Sequence, residues 1–277
     1  MGTRSLGDPM VPPRKQLPFL KPASLTPLFL VFLFLSGCAH AHHGRETIFQ
    51  NAPIDALMAG CYDGTMSVRS LKEYGDFGLG TLDALNGEMV ALNGVFYQIK
   101  PDGKAYVLGN KAKSPFAAVT FFDRDREFSP PGEMSFEDLK RFLDGRLRSP
   151  NLLYAVKVEG NFKSLKVRSA APQKEPYPVL TEAIKEQKVF ELKDQQGTLV
   201  GFRFPSYMGG VNVPGYHFHF LSKDRAVGGH VLDLSMRNAR IEVDETRKFS
   251  MKLPDNEAFL KFDFKENSET AIAKVEK

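Results

Sequence analysis

Three histidines, His217, His219 and His230, are the residues of this sequence whose type and spacing best suit metal chemistry. The other three histidines of the chain lie before residue 44, so every later histidine falls within fourteen residues. Side chains at positions i and i+2 of a β-strand point to the same face, so a strand over 216–221 would place the first two imidazoles together. An H-x-H pair alone is commonly two surface polar positions, and it is the third histidine that favours a metal site.

A hairpin can bring the third histidine beside the other two. Residues 222–225 are polar and turn-like, and Gly228 and Gly229 precede His230 on the returning strand. Three converging imidazoles would leave a fourth position open, as in catalytic zinc sites, whereas structural zinc sites have four protein ligands and often include cysteines. The predicted cofactor is therefore Zn2+, although imidazole ligands also suit copper, iron and nickel.

The rest of the chain predicts the elements that must position this hairpin. Asn-Gly pairs at 86–87 and 93–94, each between apolar runs, predict tight turns next to strands. Ser135 and Gly145 can begin and end a helix with one apolar face. Further strands are predicted at 116–122, 151–158, 162–167, 198–204, 239–243 and 259–264, a second helix at 179–189, and a glycine-rich loop at 74–81.

This order of elements predicts a fold of the α/β (α+β) class. We expect two β-sheet-containing halves with mostly antiparallel or mixed strands and a few helices. A proline-rich stretch at 171–178 separates an N-terminal α/β half, residues 46–172, from a β-rich C-terminal half, residues 173–277, which holds the histidine hairpin and the C-terminal tail.

Charge argues against nucleic-acid binding, and cysteine content excludes a disulfide within the folded part. The formal net charge is +4, and residues 1–37 hold four basic residues and one acid, so +3 belongs there and the remainder carries 4 − 3 = +1. A nearly neutral remainder gives no electrostatic case for binding nucleic acid. Beyond residue 45 there is one cysteine, Cys61, which excludes a disulfide within that part.

The first 37 residues have the pattern of a secretion signal. Basic residues precede the apolar run at 28–35, which is too short to cross a bilayer as a helix but fits a signal peptide. The string LSGC at 35–38 resembles a bacterial lipobox and predicts lipidation of Cys38, with 38–45 as a short tether. Cleavage after the A-x-A string at 39–41 is the alternative. We therefore expect an exported protein, anchored to a membrane by lipid or free outside the cytoplasm, or a cytoplasmic one if the start codon is misassigned.

Four strings in this sequence resemble the motifs of the α-acetolactate decarboxylase family. They are YGDFGLGT at 74–81, NGE at 86–88, GYHFHF at 215–220 and GGHVLD at 228–233, and they keep the family's mutual spacing. The resemblance runs from about residue 46 to the C-terminus. It implies decarboxylation of 2-hydroxy-2-methyl-3-oxobutanoate (acetolactate) to acetoin and CO2, as a step in acetoin and butanediol biosynthesis.

The resemblance also implies a set of site residues. His217, His219 and His230 would bind zinc, Glu88, Arg168 and Glu276 would be catalytic, and Thr81 and Arg168 would contact the substrate. It further implies a zinc site in the cleft between two halves, a tail that folds back into that site, and a homodimer.

The proposed chemistry has a use for each of these parts. Loss of CO2 from a β-keto acid leaves an electron pair that must enter the adjacent ketone, and a Lewis acid there stabilises the product. Arg168 offers a planar fork for the carboxylate or for developing negative charge. Glu88 or Glu276 could then supply the proton.

Two other functions remain open at the level of sequence. A different exported zinc enzyme, such as a hydrolase, would need the same three ligands. A non-enzymatic metal-binding lipoprotein would leave Glu88 and Arg168 without a role.

Overall fold

The structure, a computed structural model, describes residues 1–2, 46–263, 272 and 275. The predicted leader with Cys38, the tether and Glu276 lie outside the described residues. The described part from residue 46 onward belongs to one compact unit. No helix among the described residues combines the length and the apolar character needed to cross a membrane.

Strands dominate this part of the chain. In order, the described strands are β1 (Thr47–Asn51), β2 (Met66–Ser67), β3 (Phe77–Thr81), β4 (Glu88–Leu92), β5 (Val95–Ile99), β6 (Ala105–Val107), β7 (Lys113–Ser114), β8 (Ala117–Thr120), β9 (Arg126–Phe128), β10 (Glu133–Ser135), β11 (Leu153–Ser169), β12 (Lys188–Phe204), β13 (Gly215–Ser222), β14 (Gly228–Thr246) and β15 (Lys248–Lys252). The α-helices are α1 (Ile54–Met58), α2 (Val68–Leu71), α3 (Phe136–Asp144), α4 (Leu180–Ala183) and α5 (Glu257–Lys261), and single 3-10 turns cover Asp83–Leu85, Ile184–Glu186 and Ser206–Met208.

Two large sheets form the frame of the described fold. The first has the strand order β15-β1-β8-β3-β4-β5-β6, and the second has the order β10-β14-β11-β12-β13 with β9 added beside β14. The first residues of β14 also pair with β13, so the strands β14, β11, β12 and β13 close into a ring. Among the described strands, pairing is antiparallel except between β1 and β15, which confirms the mostly antiparallel or mixed class that the sequence predicts.

The division of the strands between the two sheets does not coincide with the proline-rich stretch at 171–178. Strand β11 precedes that stretch and β12 follows it, yet the two strands pair along nearly their whole length. Long-range pairing therefore places part of the predicted N-terminal half in the same sheet as the histidine hairpin.

A shared apolar core lies between the two sheets. Leu79 and Val90 of the first sheet pack with Val200, Phe202 and Leu221 of the second. Burial of such side chains stabilises the contact by roughly 1.5–3 kcal/mol each. The histidine face of β13 is the same face that contributes Leu221, so it points toward the first sheet.

Helix α3 forms as the sequence predicts. The Ser135 side chain accepts a hydrogen bond from the Asp138 amide, the Asp138 side chain accepts one from the Ser135 amide, and Gly145 follows as the C-cap. This reciprocal capping satisfies amide groups that have no partner within the helix. Phe136, Leu139 and Leu143 of the helix are buried in the core of the second sheet.

Four local predictions need correction. The glycine-rich run at 74–81 is not a loop but contains β3, because Gly78 lets the backbone of β8 approach: an added Cβ would lie 2.2 Å from the Ala118 carbonyl oxygen. Residues 257–261 form a helix, not a strand over 259–264, and the Asn256 side chain caps it by accepting from the Phe259 amide.

The other two corrections concern continuity. The strands predicted at 151–158 and 162–167 are one strand, β11, because two partners, β12 and β14, hold it on both sides across Gly160. The helix predicted at 179–189 ends earlier, with α4 and one 3-10 turn, because β12 already begins at Lys188.

Candidate active site

The three histidines meet at the junction of β13 and β14. His217 and His219 occupy alternate positions of β13, and His219 lies directly opposite His230 in the ladder between the two strands. The intervening Phe218 and the next residue, Phe220, are buried in the core on the other face. The predicted hairpin and its division into an imidazole face and a phenylalanine face are therefore confirmed.

A β-bulge aims His230 at the site. Between β11 and β14 the register shifts, so that Lys166 pairs with Asp233 while Val167 pairs with Val231, and Leu232 is the extra residue. The shift places His230 opposite Arg168. Without the extra residue Val231 would stand opposite Arg168 and His230 would point to the other face, because side chains alternate along a strand.

The nitrogen atoms that face one another have the spacing of zinc ligands. His217 Nε2 lies 3.2 Å from His219 Nε2 and 3.1 Å from His230 Nδ1, and the three ligand atoms all fall within 4.8 Å of one another. Zn–N bonds of about 2.0–2.1 Å in a tetrahedral arrangement would place ligand nitrogens roughly 3.3–3.4 Å apart. The three residues therefore fit a small tetrahedral metal ion.

The surroundings keep the imidazoles of His217 and His219 neutral, which is the form that binds a metal. Burial, and secondly the nearby charge of Arg168, lower the pKa of His217 to about 3. Burial, followed by the neighbouring His217, holds the pKa of His219 well below its ordinary value. Desolvation disfavours a charged imidazole, so both rings stay unprotonated at neutral pH.

The first sheet orients one of the ligands. The Nδ1 atom of His219 lies 2.8 Å from the carbonyl oxygen of Met89 on β4. If that nitrogen carries the proton, the Nε2 atom keeps its lone pair for a metal. Such a hydrogen bond behind a ligand fixes both its tautomer and its ring orientation.

Glu88 enters the same space from the first sheet. It is the first residue of β4, only 6% of its surface is exposed, and its Oε2 atom lies 3.5 Å from His219 Nε2. Thr81 pairs with it across β3 and β4, and the Thr81 hydroxyl donates to the Gly87 carbonyl at 2.7 Å. Thr81 thus lines the site and also fixes the turn from which Glu88 emerges.

Arg168 enters from the second sheet. It lies near the end of β11, and 4% of its surface is exposed. Its Nη1 atom donates to the Gln187 side-chain oxygen at 3.2 Å. Ser169 next to it donates to the Ile99 carbonyl at 2.8 Å, which ties the end of β11 to the first sheet.

The cleft has a polar side and an apolar side. Its polar lining comprises the three histidines, Glu88, Arg168 and Thr81. Its apolar lining is formed mainly by Ile54, Leu57, Leu85, Phe116 and Leu180. These apolar residues belong to a buried cluster that also contains Ile272 and Val275 of the C-terminal tail. The tail therefore packs against the wall of the cleft.

The structure thus brings together six of the residues named from the sequence. Glu276 and Cys38 lie outside the described residues, so their roles stay predictions. Sequence reasoning missed the Met89 carbonyl, Gln187 and the apolar wall. A backbone carbonyl has no sequence signal, and Gln187 looks like an ordinary polar residue at the start of a strand.

Comparison with known proteins places this chain in a family. A model of the α-acetolactate decarboxylase family matches residues 48–266. The chain is similar to the α-acetolactate decarboxylases of Methanosarcina mazei (46% identity, covering 86% of this chain and 82% of that protein) and Methylococcus capsulatus (47% identity, covering 84% and 90%). The crystal structure of α-acetolactate decarboxylase from Bacillus subtilis strain 168 superposes with a TM-score of 0.81 at 33% identity, covering 83% of this chain and 99% of that one.

Two packed sheets with three buried histidines, a carboxylate and a guanidinium in one cleft define an enzyme of the α+β class with a candidate metal centre. The chain belongs to the α-acetolactate decarboxylase family, whose members are carboxy-lyases. The resemblance found in the sequence motifs is confirmed, and membership of an enzyme family disfavours a purely metal-binding lipoprotein.

Proposed function

We propose that this protein is a zinc-dependent α-acetolactate decarboxylase that converts acetolactate to acetoin and CO2. The observation that carries the proposal is the convergence of His217, His219 and His230 with Glu88 and Arg168 in one buried cleft, in a chain whose relatives bear that enzyme's name. The product places the enzyme in acetoin and butanediol biosynthesis.

The reaction breaks one carbon–carbon bond and adds one proton. The bond between the carboxylate and the hydroxyl-bearing carbon breaks, CO2 leaves, and the bonding electrons move toward the neighbouring ketone. His217, His219 and His230 would hold the zinc ion, which would supply a Lewis acid for that ketone oxygen. A proton then adds to the carbon that lost CO2, and acetoin results.

Arg168 is the residue suited to the substrate's negative charge. Arg168 is buried and lies opposite His230 in the ladder between β11 and β14, and its planar fork of donors matches a carboxylate. We assign it to bind the carboxylate before CO2 leaves. Thr81, on the opposite wall, contacts the substrate in this proposal.

Glu88 is the described residue best placed to deliver the proton. Its carboxyl group lies 3.5 Å from the His219 nitrogen that faces the metal position, so it borders the space where the reacting carbon would sit. Glu276, carried over from the family motif, is the second candidate, and the burial of Val275 beside the cleft supports a tail close to the site.

The apolar wall gives the substrate's two methyl groups a place. Leu57, Phe116 and Leu180 face the polar groups across the cleft. An apolar wall opposite a charged group would orient a small molecule that has methyl groups at one side and a carboxylate at the other.

Acetoin formation is the test of the proposal. The purified full-length chain is loaded with zinc and given racemic acetolactate, and acetoin and CO2 are measured with and without a chelator. Equal amounts of the two products, lost on chelation and restored by zinc, are expected. A folded, zinc-loaded protein that forms no acetoin would refute the substrate assignment and favour another zinc enzyme such as a hydrolase.

We also propose that the chain is exported and anchored through lipid on Cys38, and that it acts as a homodimer. The apolar run at 28–35 followed by LSGC supports the first proposal, and the family resemblance supports the second.

A further inference from the structure

Within the described part of the chain, Gln187 is linked to the candidate active site through Arg168. Its side-chain oxygen accepts the hydrogen bond from Arg168 Nη1 at 3.2 Å, and it is not among the residues that line the cleft. Gln187 follows the 3-10 turn Ile184–Glu186 and immediately precedes β12, and it is half-buried.

The backbone on both sides of this contact is held in place. The Gln187 amide donates to the Ile184 carbonyl at 3.0 Å, and Arg168 lies opposite Val189 in the ladder between β11 and β12. Upstream, Leu180 and Ala183 of α4 are buried in the cluster that forms the apolar wall. The glutamine oxygen is therefore presented from a fixed segment rather than from a free loop.

The chemical type of this partner matters. An arginine side chain has several rotatable bonds, and its bidentate fork is useful only if its plane is fixed. A carboxylate could fix it but would also offset its positive charge. An amide oxygen orients the guanidinium while adding no negative charge of its own.

We infer that Gln187 is a positioning residue, which holds the Arg168 guanidinium in the orientation that receives the substrate carboxylate. This inference rests on the proposed function. Gln187 acts through Arg168 and does not touch the reacting atoms.

Binding of two ligands separates this role from a merely structural one. The first ligand is 2-hydroxy-2-methylbutanoate, which has the carboxylate and hydroxyl group of the substrate but no ketone, so it cannot react. The second is acetoin, which has no carboxylate. Calorimetric titrations of the zinc-loaded full-length chain compare the wild type with Gln187→Met, which removes the acceptor at nearly constant shape.

We expect Gln187→Met to weaken binding of the hydroxy acid about tenfold, in line with the loss of one hydrogen bond to a charged group, and to change acetoin binding less than twofold. The KM for acetolactate should rise by a similar factor while kcat changes less than threefold. The matched control is Gln195→Met, because Gln195 lies on β12, the strand that Gln187 precedes, and its side-chain amide donates to the Lys193 carbonyl at 3.0 Å, away from the cleft. The control should bind both ligands like the wild type.

The inference is overturned if Gln187→Met weakens binding of both ligands equally, or if it leaves binding of the hydroxy acid unchanged. If Gln187→Met does not fold, Gln187→Asn replaces it, since its amide is one methylene too short to reach Arg168 and the same difference between ligands is expected. Acetoin formation by the wild type is measured first. Its absence would refute the proposed function, whereas an active wild type with unchanged variants would refute only the role of Gln187.

Discussion

The neighbours of each histidine at the centre favour its use as a metal ligand. Burial keeps the imidazoles of His217 and His219 neutral, the Met89 carbonyl fixes the His219 ring, and the bulge at Leu232 turns His230 toward the other two. His217 Nε2 lies 3.1–3.2 Å from a nitrogen of each of the other two rings, and in a tetrahedral zinc site the same nitrogens would bind the ion instead of one another.

His217→Ala should abolish zinc binding and acetoin formation. Loss of a group that hydrogen-bonds to a metal ligand lowers metal affinity by roughly 10–100-fold, and loss of the ligand itself should lower it further. The measurements are zinc per chain after dialysis and acetoin release. Tyr216→Phe, on the same strand, removes only a hydroxyl that donates to Asp144 at 2.8 Å, and it should keep full zinc. Full zinc in His217→Ala would contradict the assignment.

Glu88→Gln should lower kcat while leaving zinc content unchanged. The amide keeps the size of the side chain but cannot donate an acidic proton, and loss of a general acid costs about 10²–10⁴-fold. Stopped-flow measurement of acetoin release, together with zinc analysis, checks both parts. A kcat within threefold of the wild type would transfer the proton-donor role to Glu276.

At the scale of elements, the site depends on how closely strands approach. Strands β3 and β8 are paired, and at Gly78 and Gly80 the neighbouring backbone is so close that an added Cβ atom would clash with it. The same first sheet carries Glu88 and Met89, so the distance from these two residues to the histidines follows from the packing of its strands.

Gly78→Ala should destabilise the fold by about 1–3 kcal/mol, the usual cost of overpacking a closed space. The new Cβ would lie 2.2 Å from the Ala118 carbonyl oxygen, and that oxygen belongs to backbone that cannot easily move. Urea unfolding followed by circular dichroism measures the change. In Gly109→Ala the added Cβ would meet nothing within 4 Å, so this control should change the free energy of unfolding by less than about 0.5 kcal/mol.

The tail is the other element that reaches the site. Val275 is buried with Ile272 against residues of the apolar wall. Val275→Asp would place an unpaired charge there, so the tail should separate from the wall and kcat/KM should fall at least tenfold with zinc content unchanged. Steady-state kinetics and zinc analysis test this, and unchanged kinetics would show that the tail does not contribute.

At the scale of the whole molecule, one buried carboxyl links stability to pH. Burial, and then the charges of Asp125, Glu46 and Asp123, raise the pKa of Asp244 to about 7, against the influence of a hydrogen bond from the Asp123 amide. The ordinary value is 3.8, so between about pH 4 and 7 the folded chain holds a proton that the unfolded chain has lost. The contribution of Asp244 to stability is therefore largest below pH 4 and is lost as the pH rises through 7.

Asp244→Asn should remove that part of the pH dependence. The free energy of unfolding of the variant should fall less between pH 5 and pH 8 than that of the wild type, as measured by urea unfolding at each pH. Asp233→Asn is the control, because Asp233 lies on the same strand β14 but is exposed. Parallel pH profiles for Asp244→Asn and the wild type would contradict the role of Asp244.

The proposed lipid anchor concerns the whole chain as well. Expressed in a bacterium that processes lipoproteins, the full-length chain should lose residues 1–37, carry lipid on Cys38 and sediment with membranes. Cys38→Ser should release it to the soluble fraction. Mass spectrometry of the mature N-terminus checks this, and an unprocessed cytoplasmic chain would rule out export.

Local patterns in the sequence were sufficient for several features. The H-x-H spacing places two imidazoles on one face of a strand, the Asn-Gly pair at 93–94 makes the turn between β4 and β5, and Ser135 with Asp138 begins α3. These features depend on contacts between residues close in the chain, so period and capping rules describe them. Comparison of motifs added the family and the identities of Glu88 and Arg168.

Tertiary structure alone decided the rest. The glycine run became a strand because β8 packs against it, and His230 faces the site because of a bulge against β11. Gln187 and the Met89 carbonyl matter only through partners 19 and 130 residues away. Pairings over such separations depend on which strands become neighbours, and local spacing does not contain that information.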